Sequence, residues 1–270
     1  MYSGTTIHHG SGRLMGVHQR IDRVARRQLR PLLPDHVDFP SSKHILRFEG
    51  VNGPDAIKRK SPAKDEPWHY LDPTDESDTE LYAMIKDHQA NLTKALQENN
   101  TERAAFEAAW MSHAIVDGLT PAHHYPLEEK LTELRGEGIE TRTTYKDKIL
   151  LPGESKRQKL RNNWEFWGAK GVMTTHVLFE FGVATTMLRM KTIHSVPLEK
   201  DLIKLKNTGF IPVLKESIDH IYDLNMYETF QKKGWTPRLA RQTREILIPR
   251  ITKMVILAWY ECAVKAAEKK

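Results

Sequence analysis

The chain has 270 residues, 39% of them hydrophobic and 28% charged, with a formal net charge of +6. That length and apolar content suffice to bury one sizeable core, and the positive charge is compatible with anionic partners without requiring them. The single cysteine, Cys262, excludes an internal disulfide framework and any Cys-rich zinc site, so metal chemistry would rest on the 13 histidines and 35 acidic residues.

Residues 1–16 read as a loop segment ahead of one domain over 17–270. They contain no apolar core of signal-peptide length, and no later run approaches the ~20 apolar residues of a membrane span, so the expectation is a cytoplasmic protein without a transmembrane segment. A helix over 17–30 carries Arg20, Arg23, Arg27 and Arg30 as a basic face, either solvated or a contact for phosphate or anionic lipid. Prolines break the periodicity repeatedly between residues 31 and 75, which reads as loops wrapping the fold. Residues 79–98 and 102–117 have apolar spacings of three and four and form a predicted helical hairpin, with Thr101 as the expected cap of its second helix. The β-branched stretch 137–153 suggests a small hairpin or flap, followed by helices over 156–190, 209–230 and 238–268. Trp164 and Trp167 are expected in the core or a pocket wall. The predicted fold is mainly α, a single-domain helical bundle with a long loop or small hairpin insertion.

The sequence HAIVDGLTPAHH, residues 113–124, interrupts an apolar helical run with three histidines and an aspartate. Residues four apart share a helix face, so His113 and Asp117 point the same way and beside the core. Asp117 stands at the last turn, where the helix dipole disfavours an anion, with Gly118 as the expected C-terminal cap. No Lys or Arg occurs from 104 to 129, and a divalent metal would satisfy both imidazole and carboxylate. Pro121 stiffens the turn that delivers His123. His18/Asp22, His124/Glu128 and His176/Glu180 repeat the i, i+4 pattern, and His176 and Glu180 are the only ionisable groups in an eighteen-residue apolar run, where they need pairing or coordination. His124, adjacent to His123, is expected beside the site or in solvent rather than as a ligand, and a structural hydrogen bond remains the alternative for each pair.

The order and spacing of these residues resemble the zinc-dependent phospholipase C family and the related S1/P1 nucleases, all-α phosphodiesterases with a trinuclear zinc site. HAIVDGLTPAH is similar to the family's His-x3-Asp-x5-His segment, and PDAIKRKSPAKDEPWHYLDP places Asp55 and His69 at the family's separation. His176 and Glu180 resemble its later His-x3-Glu pair, and GVHQRIDRVA puts His18 at the head of a helix. The resemblance implies one zinc held by Asp55, His69, His113 and Asp117, a second by His123, His176 and Glu180, and a third held partly by His18 with Asp117 as bridge. The family's secreted members complete the third site with an N-terminal Trp. This chain has fifteen residues before GVH and no Trp before Trp68, so either His8 or His9 substitutes or the third site is weak or empty.

The function so implied is a zinc-dependent phosphoesterase, phospholipase C-like, with two to three Zn2+ and a lipid or nucleotide phosphoester as substrate. Metal-activated water would be the nucleophile, with Asp55 and Asp117 as the catalytic carboxylates and Asp55 as the base. The alternatives are an S1/P1-like nuclease or nucleotidase and, outside enzymes, a metal-stabilised binding protein without turnover.

Overall fold

The computed structural model describes Met1, residues 16–57 and residues 60–268, and no β-strand occurs among them. In chain order the helices are α1 (Val17–Leu29), the single turns α2 (Ser42–Ile45) and α3 (Pro54–Ile57), α4 (Glu80–Gln97), α5 (Thr101–Gly118), α6 (Leu127–Arg135), α7 (Tyr145–Ile149), α8 (Lys156–Trp167), α9 (Val172–Leu188), α10 (Glu199–Thr208), α11 (Phe210–Tyr222), α12 (Met226–Lys233), α13 (Pro237–Gln242) and α14 (Ile248–Ala267). Short 3-10 turns, among them Pro121–His124, fill the connections.

α4 and α5 form the expected antiparallel hairpin, but its cap is Asn100, whose side chain accepts from the Arg103 N–H at 3.0 Å. Thr101 is instead the first helical residue. Ala104, Ala105, Ala108, Ala109 and Ala114 let neighbouring backbones approach α5 closely, and α14 fills the space against it with Trp259, whose Nε1–H donates to Ala108 O at 3.1 Å. Gly118 does not cap α5. It is buried and helical, and a Cβ there would stand 2.6 Å from Leu81 Cδ2, so any side chain at 118 would have to displace Leu81 of the closely packed α4. α13 runs through a π-helical turn at Thr243–Leu247 into α14, just ahead of Pro249, which has no N–H for the regular helical ladder.

The predicted hairpin at 137–153 is absent. Thr144 and Asp147 form a capping box that starts α7, so the hydroxyl-rich stretch is spent on helix initiation rather than strand pairing. The expected helix over 156–190 is two helices parted by a tight connection, where added Cβ atoms on Gly168 and Gly171 would meet the carbonyls of Trp164 and Phe166 at 2.4 and 2.5 Å. α6 and α10 were not expected. α6, with Leu127 and Leu131, joins Leu151 and Phe166 in a second small core beside the main one. The basic face of α1 is partly consumed structurally: Arg20 donates to the carbonyls of Met187, in the last turn of α9, and Met190, just beyond it; Arg26, outside that face, donates to Phe39 O and Pro40 O. Of the four predicted face residues, Arg27 and Arg30 are exposed.

Candidate metal centre

The first turn of α1, the end of α5, the turn after it, and the middle of α9 converge on one buried cluster. α1 contributes His18, α5 contributes His113 and Asp117, the Pro121–His124 turn contributes His123, and α9 contributes His176 and Glu180. Loop residue His69 and Asp55 of α3 close the remaining side. Every one of these is buried except Asp55 and Glu180, which are partly open.

Asp117 lies at the centre, its two oxygens facing different groups. Oδ2 accepts from His69 Nδ1 at 2.6 Å and lies 3.2 Å from His113 Nε2, with Asp55 Oδ1 3.9 Å from the same nitrogen. Oδ1 lies 2.5 Å from the α-amine of Met1, 3.5 Å from His18 Nε2 and 3.7 Å from His123 Nε2. On the α9 side, Glu180 Oε1 sits 3.0 Å from His123 Nε2 and 3.1 Å from His176 Nε2. Three sets of donor atoms can therefore each gather about one ion: Asp55, His69 and His113; His123, His176 and Glu180; and His18, His113 and Asp117. Ligand atoms on a tetrahedral zinc at 2.0–2.1 Å are about 3.3 Å apart, close to the 3.0 and 3.1 Å spacings from Glu180 to His123 and His176. His113 Nε2 supplies a direct test of fit. It is fully buried, and carboxylate oxygens of Asp117 and Asp55 face it at 3.2 and 3.9 Å.

Two further residues orient the imidazoles. The Nδ1–H of His113 donates to Glu49, whose oxygens lie 3.2 and 3.3 Å away, and His123 Nδ1–H donates to His69 O at 2.7 Å. In both rings this leaves Nε2 turned into the cluster, the arrangement that fixes a metal-binding tautomer. Glu49 was not predicted: it acts across 64 residues of sequence, and no local spacing links it to His113. Met1 was also unforeseen. Its carbonyl oxygen accepts from His18 Nε2 at 2.7 Å, and its amine lies 3.3 Å from both His123 Nε2 and Glu180 Oε1. It stands where the resemblance expects a substitute for the N-terminal Trp, whereas His8 and His9 lie outside the described residues.

The electrostatics follow from burial opposed by close partners. Burial alone would raise the Asp117 carboxyl, but His123, the Met1 amine and His113 outweigh it and hold it well below the usual carboxylate range. Burial likewise opposes ionisation of Glu180, and the Met1 amine and His176 hold it well below its ordinary value. Desolvation would lower the Met1 amine, yet Asp117 and Glu180 bring it up to about 10. Both central carboxylates are therefore anionic, which is the state that binds a cation.

The remaining predicted residues are placed as follows. Asp22 does not pair with His18; it accepts from Ser112 Oγ at 2.5 Å, while His18 stacks on His113 with ring centroids 4.0 Å apart. His124 turns away from the cluster, is buried, and bonds Gly118 O at 2.8 Å, with burial pushing its imidazole down to about 4. A cavity of about 420 Å³ opens beside His69, walled by Trp68, Tyr70, Tyr145, Phe166 and Trp167. Trp167 is thus a pocket wall as expected, but Trp164 is neither core nor wall and is 69% exposed. The basic run 156–161 does not line this cavity.

No protein-family model matches the sequence, and no curated protein matches it. Among solved structures, the alpha-toxin of Clostridium perfringens from avian strain SWCP is similar, with a TM-score of 0.60 and 13% identity over 100% of this chain and 66% of the toxin chain. The chain thus spans just under two thirds of that structure's length, and the likeness is one of fold: a mainly α domain of the kind present in the alpha-toxin.

Proposed function

We propose that this chain is a zinc-dependent phosphoesterase that cleaves a phosphodiester with water. The observation that carries the reading is the division of Asp117 between two groups of imidazoles, which draws three candidate ion positions into one buried cluster. The motif resemblance to zinc-dependent phospholipases C supports the same assignment: Asp55, His69, His113 and Asp117 for one ion, His123, His176 and Glu180 for a second, and His18 with Asp117 for a third.

Zinc at such a cluster would polarise a phosphoryl oxygen and make water nucleophilic near neutral pH. The chain's own residues supply the rest. Asp55 has 21% of its side chain exposed, more than any other carboxylate in the cluster, which supports its role as acceptor of the attacking water's proton. Glu49 and the His69 carbonyl hold His113 and His123 in register. His69 belongs both to the cluster and to the aromatic cavity, so a phosphodiester lying along that cavity would meet the cluster at its inner end. The cavity joins aromatic walls to charged residues, among them Lys64, Arg142 and Lys148, a mixture that suits a phosphodiester with an apolar substituent. Turnover of a soluble chromogenic phosphodiester, lost on chelation and restored by zinc, tests the reading. Absence of turnover in zinc-loaded, folded protein would favour a metal-stabilised binding protein instead, and salt-sensitive cleavage of single-stranded nucleic acid in preference to lipid would favour the nuclease alternative.

A further inference from the structure

α9 carries its ionisable residues, His176 and Glu180, on its covered side, and its uncovered side is apolar. His176, Glu180, Val183 and Met187 point inward, while Val177, Leu178, Phe181 and Leu188 are exposed on the remainder. A contiguous exposed apolar face of this kind marks an interaction surface. α8 packs against it and repeats the pattern: Leu160 and Trp164 are 73% and 69% exposed, and with Trp167 they follow the i, i+4, i+7 spacing of one helical stripe. Lys156, Arg157 and Arg161, all exposed, flank that stripe, with Arg161 paired to Glu165 at 2.8 Å. An apolar stripe containing tryptophan and bordered by cations is the composition of a helix that lies in the headgroup region of an anionic bilayer. Trp167 donates through Nε1 to Ile149 O at 2.7 Å and also walls the aromatic cavity, so this face adjoins the cavity that leads to His69.

We infer that the outer faces of α8 and α9 form a docking surface for anionic phospholipid bilayers, holding the aromatic cavity against the lipid. The apolar side chains enter the acyl boundary, and Lys156 and Arg157 meet lipid phosphates. None of the helices among the described residues is long and apolar enough to cross a membrane, in keeping with peripheral attachment. The substrate class this implies rests on the phosphoesterase reading, whereas the binding itself does not.

The test is flotation of the full chain with vesicles of phosphatidylcholine containing phosphatidylglycerol, against phosphatidylcholine alone. The parent should float with the mixed vesicles, less so in high salt, with a blue shift of tryptophan emission. A Leu160→Ser/Trp164→Ser variant should partition at least about tenfold more weakly, with unchanged circular dichroism and unchanged hydrolysis of a soluble phosphodiester. Failure of the parent to float, equal partitioning of the variant, or binding of single-stranded DNA in place of vesicles would overturn the docking surface. So would a stable dimer that the double substitution dissociates, because a second copy would then cover the face. Hydrolysis without flotation counts against docking alone, and flotation without any hydrolysis counts against the phosphoesterase reading alone.

Discussion

Replacing Asp117 with asparagine tests the centre where its contacts are densest. The side chain is buried at 1% exposure and faces His69 Nδ1 at 2.6 Å, His113 Nε2 at 3.2 Å, His18 Nε2 at 3.5 Å and the Met1 amine at 2.5 Å. Asparagine preserves the volume and one acceptor oxygen but removes the charge shared between the two sides of the cluster. Without zinc, the buried Met1 ammonium loses its nearest anion, and breaking a buried charge pair from one side costs about 3–5 kcal/mol. With zinc, loss of the shared anion should remove about one ion per chain and lower phosphodiester turnover by at least ~100-fold, the range for a lost preorganised electrostatic contact. Circular dichroism, zinc content and hydrolysis of a chromogenic phosphodiester should be measured on one preparation. A folded Asp117→Asn protein with the parent's zinc and the parent's rate would refute both the shared-carboxylate geometry and the hydrolytic mechanism drawn from it.

Glu49→Gln should weaken zinc binding by about 10–100-fold in chelator competition while leaving the ligand set intact, since the residue touches the metal cluster only through His113 Nδ1. Gly118→Ala would place a Cβ 2.6 Å from Leu81 Cδ2, and the overpacking should exceed the gain in helix propensity for a net loss of ~1 kcal/mol or more, read as a lower thermal midpoint. Burial pushes the Cys262 thiol up to about 12, so it should resist a disulfide reagent at pH 8 in the native protein and react fully once unfolded. Rapid modification of the native chain would contradict its burial on the face of α14 turned to α4.

Much of the centre was legible because its chemistry is written at helical spacing. His113/Asp117 and His176/Glu180 each occupy one helix face, and the burial that makes ionisable residues conspicuous in apolar runs is the burial found around the cluster. Glu49 escaped because it joins the cluster from a loop through a contact that only the fold creates, and Met1 because its contribution comes from backbone atoms rather than a side chain. The pairing of His18 with Asp22 failed although the spacing was right: His18 is drawn into the stack with His113, and Asp22 finds Ser112. Among the helices, strong periodicity located α4, α5 and α14, whereas threonines at 143 and 144 misled by β propensity when their hydroxyls serve the start of α7. The exposure of Trp164 likewise depends on which face α8 turns to its neighbours, which composition does not encode.

Elemental analysis of protein purified without added metal tests the central claim most directly. Two to three zinc ions per chain are expected, removable by chelator with loss of phosphodiester turnover and of thermal stability, because ions that bind the native state stabilise it by mass action. A preparation free of bound metal that is nonetheless folded and hydrolyses the phosphodiester at full rate would contradict the claim that this cluster is a catalytic zinc centre.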